Sequence, residues 1–223
     1  MISTATEQSH AYATPRYPAH LVASRRLPDG TAIVIRPIHP EDDDLERAFI
    51  GGLSSVTRYN RLLSGRKLTP EELRHLTRID YRREMAFIAL SVSGGQARML
   101  GVARYVRDAG GAAAEFALVV ADAWQRKGVG SMLLGTLLRH AQAVGIERLH
   151  GITLATNQAM QNLARKLGFV QTHDPQDATV RQVEKRLAPA VPSVAACSNA
   201  GHFPRAAAND ASMAPSFETS DVG

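Results

Sequence analysis

The order of an apolar strand, a short basic turn and a helix places the strongest constraint on how this chain folds. Val119 and Val120 end an apolar run, residues 121–128 form a break with a glycine and two basic side chains, and an amphipathic segment begins at Val129. The first N–H groups of a helix have no partner inside it, and the aligned peptide dipoles place roughly half a positive charge there. This order therefore predicts an anion site at the start of the helix.

The residues of the turn suit a phosphate. Gly128 and Gly130 lack the Cβ that would keep a ligand away from the backbone, while Arg126 and Lys127 supply mobile positive charge. We therefore predict that this turn binds a phosphorylated cofactor. An ordinary surface turn with helix-capping glycines is the alternative.

Two common phosphate-binding motifs do not fit this turn. A dinucleotide-binding fold requires a third glycine where this chain has Leu133, and it places the motif after the first strand rather than in mid-chain. A nucleotide-hydrolysing loop requires Lys and then Ser or Thr after its last glycine, whereas Gly130 is followed by Ser131 and Met132. Both classes are therefore excluded.

Composition predicts one folded domain between two tails. Residues 1–25 are polar and irregular, and residues 188–223 are rich in Ala, Pro and Ser, so both segments are predicted to be disordered. Residues 26–187 have the usual size of a domain with one hydrophobic core. No apolar run reaches the roughly 20 residues that span a bilayer, and no secretory signal is recognisable. We therefore expect a soluble, cytoplasmic protein without a membrane partner.

Charge and cysteine content narrow the function classes further. The formal net charge is +5, and residues 58–83 carry eight Lys or Arg against three Asp or Glu. No zinc-finger spacing or RNP-type motif accompanies this basic segment, so a nucleic-acid partner is not expected. Cys197, the sole cysteine, lies in the predicted tail, so no thiol nucleophile is expected in the domain. His140 and His150 belong to no metal-ligand spacing, and no metal is expected.

The periodicity of apolar residues predicts antiparallel strands followed by an α/β unit. Residues 93–95 are typical of a hairpin turn, and Thr69, Pro70 and Glu72 are typical of a helix start. Strands are predicted at residues 31–37, 85–92, 99–106, 112–121, 149–155 and 179–187, with a further strand that starts at residue 168. Helices are predicted from Pro40 onward and at residues 54–62, 70–78, 128–144 and 157–167.

Two blocks of sequence resemble the GNAT superfamily of N-acetyltransferases. Gln125-x-x-Gly128-x-Gly130 is similar to the family's Arg/Gln-x-x-Gly-x-Gly/Ala signature, and the block from Asn157 to Phe169 is similar to its Asn-x-x-Ala-x-x-Leu-Tyr-x-Lys-x-Gly-Phe segment. The resemblance implies an α/β GNAT fold, with a mixed central sheet of six to seven strands and four or more helices packed on both faces. It also implies acetyl-CoA as the cosubstrate.

Segments upstream narrow the resemblance to one branch of this family. Residues 68–73 and 79–86 are similar to the acetyltransferase domain of bacterial Pat-type protein-lysine acetyltransferases, and the likeness extends over roughly residues 31–173. It implies a protein substrate with an exposed lysine, with acyl-CoA synthetases among the candidates. An N-acetyltransferase for a small amine or amino acid and a non-catalytic acyl-CoA-binding regulatory module remain alternatives. The oligomeric state stays open.

Glu115 is the candidate general base. A lysine amine has a pKa of about 10.4, so at neutral pH it must lose a proton before it attacks a thioester. Glu115 alternates with Ala117 and Val119 on one face of the strand that leads into the turn, and we expect partial burial to suit it for this task. By resemblance, it also stands where Pat-type enzymes place their catalytic glutamate. A strand glutamate that is held in a salt bridge or that faces an edge of the sheet is the alternative.

The resemblance also implies the cofactor contacts. The backbone of Leu118, Val119 and Val120 is expected to bind the pantetheine arm, with the Val120 N–H near the thioester oxygen. Asn157 is expected to bind farther along that arm, to cap its own helix, or both. The pyrophosphate is expected to contact Gln125, Arg126, Lys127, Gly128, Val129, Gly130 and Ser131.

The chain departs from the family pattern at one position. Ala164 stands where the family frequently has a tyrosine, which is often assigned as the acid that protonates the leaving thiolate. Alanine cannot donate a proton. Water, Tyr81 or Tyr105 remain for that role.

Overall fold

A mixed sheet of eight strands forms the centre of the part of the chain that the structure describes. The structure is a computed structural model, and it describes residues 16–63, 66, 68–93 and 95–189. The strands are β1 (Ala23–Arg26), β2 (Ala32–Pro37), β3 (Glu84–Ser93), β4 (Gln96–Arg107), β5 (Ala113–Val120), β6 (Arg148–Leu154), β7 (Val170–His173) and β8 (Val180–Arg186). Their order is β1-β2-β3-β4-β5-β6-β8-β7, and every neighbouring pair is antiparallel except β5 and β6.

Five α-helices occur within the described residues. They are α1 (Asp43–Gly51), α2 (Ser55–Leu62), α3 (Pro70–Thr77), α4 (Val129–Ala143) and α5 (Gln158–Lys166). The predicted start of α3 is confirmed, because the Thr69 hydroxyl accepts the Glu72 N–H and the Glu72 carboxylate accepts the Thr69 N–H. None of these helices is both long and apolar enough to cross a membrane.

Separate apolar clusters on the two faces of the sheet place the helices. Phe87 of β3 belongs to the same cluster as Leu133 of α4. On the opposite face, Ile88 and Val102 belong to a cluster with Phe49 of α1. Neighbouring residues of a strand point to opposite faces, so one strand serves both clusters. These faces are called the α4 face and the α1 face below.

The strands β5 and β6 pair along only part of their length. The parallel register joins residues 113–115 of β5 to residues 148–150 of β6, and no further pair is found between the described parts of these strands. Beyond Phe116, whose carbonyl oxygen would lie only 2.9 Å from a Cβ at residue 151 of β6, the side of β5 that faces β6 is therefore open. This gap creates the cleft described below.

The predicted α/β class, with a mixed sheet and helices on both faces, is confirmed, but the sheet has eight strands rather than six or seven. The additional strand is β1, which begins inside the segment 1–25 that composition assigned to a tail. Its four residues are too few to show apolar periodicity, and they are ordered by backbone pairing with residues 32–35 of β2. Residues 1–15 and 190–223 lie outside the described residues, so the tails predicted there stay predictions.

Candidate functional site

A cleft of about 740 Å³ lies between β5, the basic turn, α2 and α5. Clefts of this size hold small organic ligands and cofactors. Ten of the twelve residues that the sequence predicts for the site line it, namely Leu118, Val119, Val120, Gln125, Arg126, Lys127, Gly128, Gly130, Ser131 and Asn157. Glu115 and Val129 do not line it.

The turn before α4 has the backbone geometry of an anion site. Gly128 is the N-cap of α4 and has a φ of 94°, a left-handed conformation that glycine adopts without strain, and no side chain caps the helix. Met132 donates to the Gly128 carbonyl oxygen at 3.1 Å as the helix begins. The N–H groups of Val129, Gly130 and Ser131 therefore have no partner within the helix and are available to an anion.

Val129 and Gly130 also have packing roles that the sequence did not reveal. The Val129 side chain is fully buried in the core of the α4 face, so only its backbone is available to a ligand. A Cβ at residue 130 would lie 3.2 Å from Leu163 Cδ2 and 3.6 Å from side-chain atoms of Leu118 and Val120. The glycine therefore lets α4 pack closely against the wall of the cleft.

Positive charge dominates the lining of the cleft. The Nζ of Lys127 lies 5.0 Å from the centroid of the Trp124 ring, which holds this cation beside the turn. The charged residues of the lining are four cations and one carboxylate: Arg61, Arg126, Lys127, Lys166 and Asp29. This excess of positive charge suits a ligand with several negative charges.

Asp122 ties the start of α2 to the turn. Its carboxylate accepts the N–H of Ser54 at 3.0 Å, the hydroxyl of Ser54 at 2.6 Å and the hydroxyl of Thr57 at 2.7 Å. Burial acts to raise the pKa of Asp122, but the hydrogen bonds from Ser54 and Thr57 outweigh it and leave the pKa below its ordinary value. The sequence analysis assigned no role to Asp122, because its partners are distant in sequence.

The side chain of Gln125 extends this network toward β5. Its amide nitrogen donates to the Thr57 hydroxyl and to the Val120 carbonyl oxygen, both at 3.1 Å. These two bonds use both side-chain N–H groups of the glutamine. Gln125 is therefore placed to shape the turn rather than to donate its side-chain N–H groups to an anion.

Alternate backbone groups of β5 face the cleft. The Ala121 N–H bonds to the Leu100 carbonyl oxygen on the β4 side at 2.9 Å, and the register of β4 with β5 continues without a shift from Val120 to Ala114. Since backbone groups alternate in direction along a strand, those of Val120 and Leu118 point away from β4, toward the gap that β6 leaves. An extended ligand arm in this gap can pair with them.

Glu115 is exposed, contrary to the partial burial expected from the sequence. It lies on the α1 face, where Val119 is the β5 residue that joins the buried apolar cluster. The apolar neighbours of Glu115 in the sequence point to the other face, so they do not bury its carboxylate. Glu115 lies three residues before Leu118, the first residue of β5 that lines the cleft, so this carboxylate is near the end of the cleft that is farther from the turn.

The sheet surface beside Glu115 is open. His150 is paired in register with Glu115, so the two side chains share one face, and Ile152 on the same face is 49% exposed. His150 Nε2 lies 3.0 Å from an oxygen of Asp108. The apolar cluster of the α1 face contains no described residue of β6, β7 or β8. A shallow surface, rather than an enclosed pocket, therefore borders Glu115.

Asn157 occupies a position compatible with both roles inferred from the sequence. Its Oδ1 accepts the Met160 N–H at 3.1 Å and so caps α5. The same residue lines the cleft. The cap therefore does not exclude contact with a ligand.

The tyrosines suggested as acids are engaged elsewhere. Ala164 is fully buried in the core. The Tyr105 hydroxyl is hydrogen-bonded to His140 Nδ1 at 3.1 Å, and the Tyr81 hydroxyl donates to the Ile38 carbonyl oxygen at 2.8 Å. Burial raises the pKa of each tyrosine to about 12. Neither lines the cleft, so neither is placed to protonate a leaving group there.

The sequence did not predict the residues of α2 and most of the residues of α5 that line the cleft. Residues four positions apart share a helix face, so the sequence predicts that Thr57 and Arg61 point the same way. It does not show what that face meets, because the contact is between elements distant in sequence. The residues missed on α2 and α5 are Thr57, Asn60, Arg61, Ala159, Met160, Asn162, Leu163 and Lys166.

Known proteins match this chain in both sequence and structure. The family model of the acetyltransferase (GNAT) domain matches residues 32–170. An acetyltransferase of Pseudomonas aeruginosa is 38% identical over 163 residues, which cover 73% of this chain and 87% of that relative. The acetyltransferase Pat of Mycolicibacterium smegmatis is 33% identical over 158 residues, which cover 70% of this chain and 46% of Pat. The chain thus spans about half the length of Pat.

A solved structure agrees with these matches. The GNAT domain of S. lividans PAT aligns with a TM-score of 0.70 at 29% sequence identity, over 77% of this chain and 100% of that domain. The family model covers more than half of the chain, including β5, the turn and α4. The chain therefore belongs to the GNAT family of acetyltransferases.

Proposed function

We propose that the protein transfers the acetyl group of acetyl-CoA to a lysine side chain of another protein, with Glu115 as the general base. The observation that carries the proposal is the position of Glu115, on an open sheet surface beside one end of a cationic cleft. Family membership supplies the reaction class, which is acyl transfer. The acceptor and the roles of individual residues are the proposed parts.

The lining of the cleft suits both the charged diphosphate and the uncharged pantetheine arm of a coenzyme A derivative. The free N–H groups at the start of α4, with Arg126 and Lys127, suit the charged diphosphate. The side chains of Leu118, Met160 and Leu163 suit the uncharged pantetheine arm. When bound, acetyl-CoA supplies an acyl carbon that its thioester activates.

Glu115 provides the acceptor for the proton that the amine must lose. The carboxylate takes this proton directly or through a water molecule. The nitrogen then forms a bond to the acyl carbon, the C–S bond breaks, and the sulfur leaves as a thiolate that takes a proton from water. A thiol pKa of about 8.5 makes the thiolate a weak base, so a dedicated acid is unnecessary, in keeping with Ala164.

Distance along β5 favours Leu118 over Val120 as the residue whose N–H lies beside the thioester oxygen. At about 3.3 Å per residue, the Cα of Val120 lies about 16 Å from that of Glu115, and the Cα of Leu118 about 10 Å. The carbonyl oxygen of Val120 is also bonded to Gln125. We therefore assign the position beside the thioester to Leu118 and leave Val120 to the pantetheine arm, a change from the sequence-based expectation.

The shape of the surface beside Glu115 supports a protein acceptor. A small amine needs an enclosing pocket for affinity, whereas a lysine on a protein is held by contacts around it. Ile152 is 49% exposed beside Glu115 and offers an apolar contact of that kind. The likeness to the proteins named Pat, at 33% and 29% identity, supports the same acceptor class.

Isotope-labelled acetyl-CoA tests the proposal directly. The purified protein is incubated with it and with candidate acyl-CoA synthetases, and modified lysines are found by mass spectrometry. We expect transfer by the wild type and a rate about 10² to 10⁴ times lower for Glu115→Gln, with unchanged acetyl-CoA affinity. Glu184→Gln is the matched control, because Glu184 lies on the same face two strands away and pairs with Arg148.

Two results would contradict different parts of the proposal. Equal transfer by the wild type and Glu115→Gln would remove Glu115 as the base. Acetylation of small amines without acetylation of any protein lysine would remove the acceptor assignment.

A further inference from the structure

Arg61 is a partly buried cation at the end of the cleft that is farther from the basic turn. It lines the cleft together with Thr57 of the same helix. Thr57 is bound to Asp122 and Gln125 at the turn, and Arg61 lies one helical turn beyond it. The negative charge of Glu115 acts to raise the pKa of Arg61. Arg61 is therefore separated from the predicted phosphate site and lies near the candidate base.

Two charged residues close to Arg61, Glu46 and Arg104, form an ion pair with each other, although Glu46 Oε2 has no hydrogen-bond partner among the described residues. Glu46 of α1 is 1% exposed and Arg104 of β4 is 9% exposed, and a carboxylate oxygen of Glu46 lies 3.7 Å from Arg104 Nη2. Arg104 also donates to the Leu76 carbonyl oxygen at 3.1 Å. No carboxylate in the described part of the chain lies within 4.0 Å of the Arg61 guanidinium. Arg61 is thus left without an ion pair of its own.

The guanidinium of Arg61 stays charged in this setting. Burial, followed by repulsion from Arg104, lowers its pKa to about 10, which is still well above neutrality. A cation withdrawn from water without a close counter-ion destabilises a fold. Its position is therefore better explained by a negative charge that appears in the cleft than by a contribution to folding.

We propose that Arg61 stabilises the negative charge that develops on the thioester oxygen and on the departing sulfur during acyl transfer. This inference rests on the proposed function, since it requires the thioester to lie at this end of the cleft. The charges of two carboxylates, those of Glu46 and Glu115, act to raise the pKa of Arg61. Of these, Glu46 is paired with Arg104, and Glu115 becomes neutral once it has taken the proton of the amine. The positive charge of the guanidinium is therefore least neutralised by carboxylates when the thioester becomes negative. At that point it stabilises the developing negative charge most.

The same cation also acts on the attacking amine. A positive charge near the acceptor position repels an ammonium group and disfavours it relative to the neutral amine. Arg61 thus favours the form of the lysine that can attack. Both effects raise the rate at saturation without a requirement for tighter binding of acetyl-CoA.

The test uses a nucleophile that needs no general base. Hydroxylamine is largely neutral at pH 7, so its reaction with bound acetyl-CoA reports on the thioester alone. Its nitrogen forms a bond to the acyl carbon and loses a proton to water, the C–S bond breaks, and the thiolate takes a proton from water, so that acetohydroxamate and coenzyme A are the products. Acetyl-CoA affinity is measured separately by calorimetry. Arg58→Met is the matched control, because Arg58 lies on the same helix and does not line the cleft.

Arg61→Met is expected to lower the rate at saturating acetyl-CoA at least tenfold while the Kd changes less than twofold. Arg61→Lys is expected to recover part of the rate, and Arg58→Met to behave as the wild type. Arg61→Gln carries the same expectation as Arg61→Met if the methionine variant does not fold. A wild-type rate in these neutral variants would overturn the proposal. So would a loss of affinity large enough to account for the slower reaction.

The same assay separates this inference from the proposed function. Glu115→Gln is expected to retain the hydroxylamine reaction and to lose lysine acetylation. If Glu115→Gln acetylates lysine as well as the wild type does, the base assignment fails, while the hydroxylamine rates of the Arg61 variants still decide the role of Arg61. A wild type that does not accelerate the hydroxylamine reaction over the rate in solution would overturn the inference about Arg61.

Discussion

The carboxylate of Asp122 accepts both the backbone N–H and the hydroxyl of Ser54, a residue 68 positions away in the sequence. These bonds fix the first turn of α2 against the turn that precedes α4. Through Thr57 the same carboxylate reaches Gln125 and, beyond it, the Val120 carbonyl oxygen of β5. One side chain therefore holds three walls of the cleft in their relative positions.

Replacement of Asp122 is expected to affect both stability and ligand binding. Asp122→Ala removes three hydrogen bonds to an ionised group, so we expect the free energy of unfolding to fall by about 1–2 kcal/mol. Because α2 is released from the turn, acetyl-CoA affinity should fall severalfold. Urea unfolding and calorimetry measure the two effects.

Asp177→Ala is the control for this variant. Its carboxylate accepts the N–H and the hydroxyl of Thr179, and Asp177 does not line the cleft. We expect unchanged acetyl-CoA affinity in this control. An Asp122→Ala protein with wild-type affinity would show that the network does not shape the cleft.

Gly128→Ala is expected to damage the predicted phosphate site. The φ of 94° at this position strains any residue with a Cβ, and the added Cβ would lie 3.1 Å from Pro28 Cδ. A left-handed conformation costs roughly 1–2 kcal/mol for such a residue, and relief of that strain moves the N–H groups of the turn. We expect at least a tenfold loss of acetyl-CoA affinity by calorimetry. Gly110→Ala, whose added Cβ has no atom within 4 Å, should bind as the wild type does.

The stability of the protein is expected to depend on pH through His140. Burial, and then the positive charge of Arg107, lowers the pKa of His140 to about 4. A histidine in the unfolded chain titrates at about pH 6.5. The contribution of neutral His140 to the free energy of unfolding is therefore complete above that pH and is lost as the pH falls toward 4. As the pH decreases through this range, the free energy of unfolding of the wild type should fall relative to that of His140→Gln, by up to about 1.4 kcal/mol per pH unit.

Urea unfolding at several pH values between about 7 and 4.5 measures this slope. His75→Gln is the control for the loss of a histidine, because the side chain of His75 is 75% exposed. If the free energy of unfolding of the wild type and of His140→Gln changed with pH in the same way, the lowered pKa of His140 would be contradicted.

The open surface beside Glu115 is expected to matter for a protein acceptor only. Ile152→Asp places a charge on that surface, so transfer to a protein lysine should fall severalfold while the hydroxylamine reaction and acetyl-CoA affinity stay unchanged. Val92→Asp, at an exposed position near the end of β3, is the control and should transfer as the wild type does. Equal transfer by Ile152→Asp and the wild type would place the acceptor elsewhere.

Local features of the fold were predictable because their causes act over a few residues. The capping box that Thr69 and Glu72 form at the start of α3 and the glycine turn at Gly128 depend on neighbours in the sequence, and both occur where predicted. The exposure of Glu115 was not predictable, because strand alternation gives the face of a residue but not the extent of the helices that cover it. The same holds for Arg61, whose surroundings are formed by other elements, and for Asp122, whose hydrogen-bond partners lie at the start of α2.

The most direct test of the account follows the backbone amides at the start of α4 by NMR. The central claim is that the N–H groups of Val129, Gly130 and Ser131 bind the diphosphate of coenzyme A. The amide signals of Gly130 and Ser131 should shift on addition of coenzyme A and should stay in place on addition of pantetheine, which lacks the diphosphate. Signals that do not move with coenzyme A, or that move equally with pantetheine, would contradict the claim.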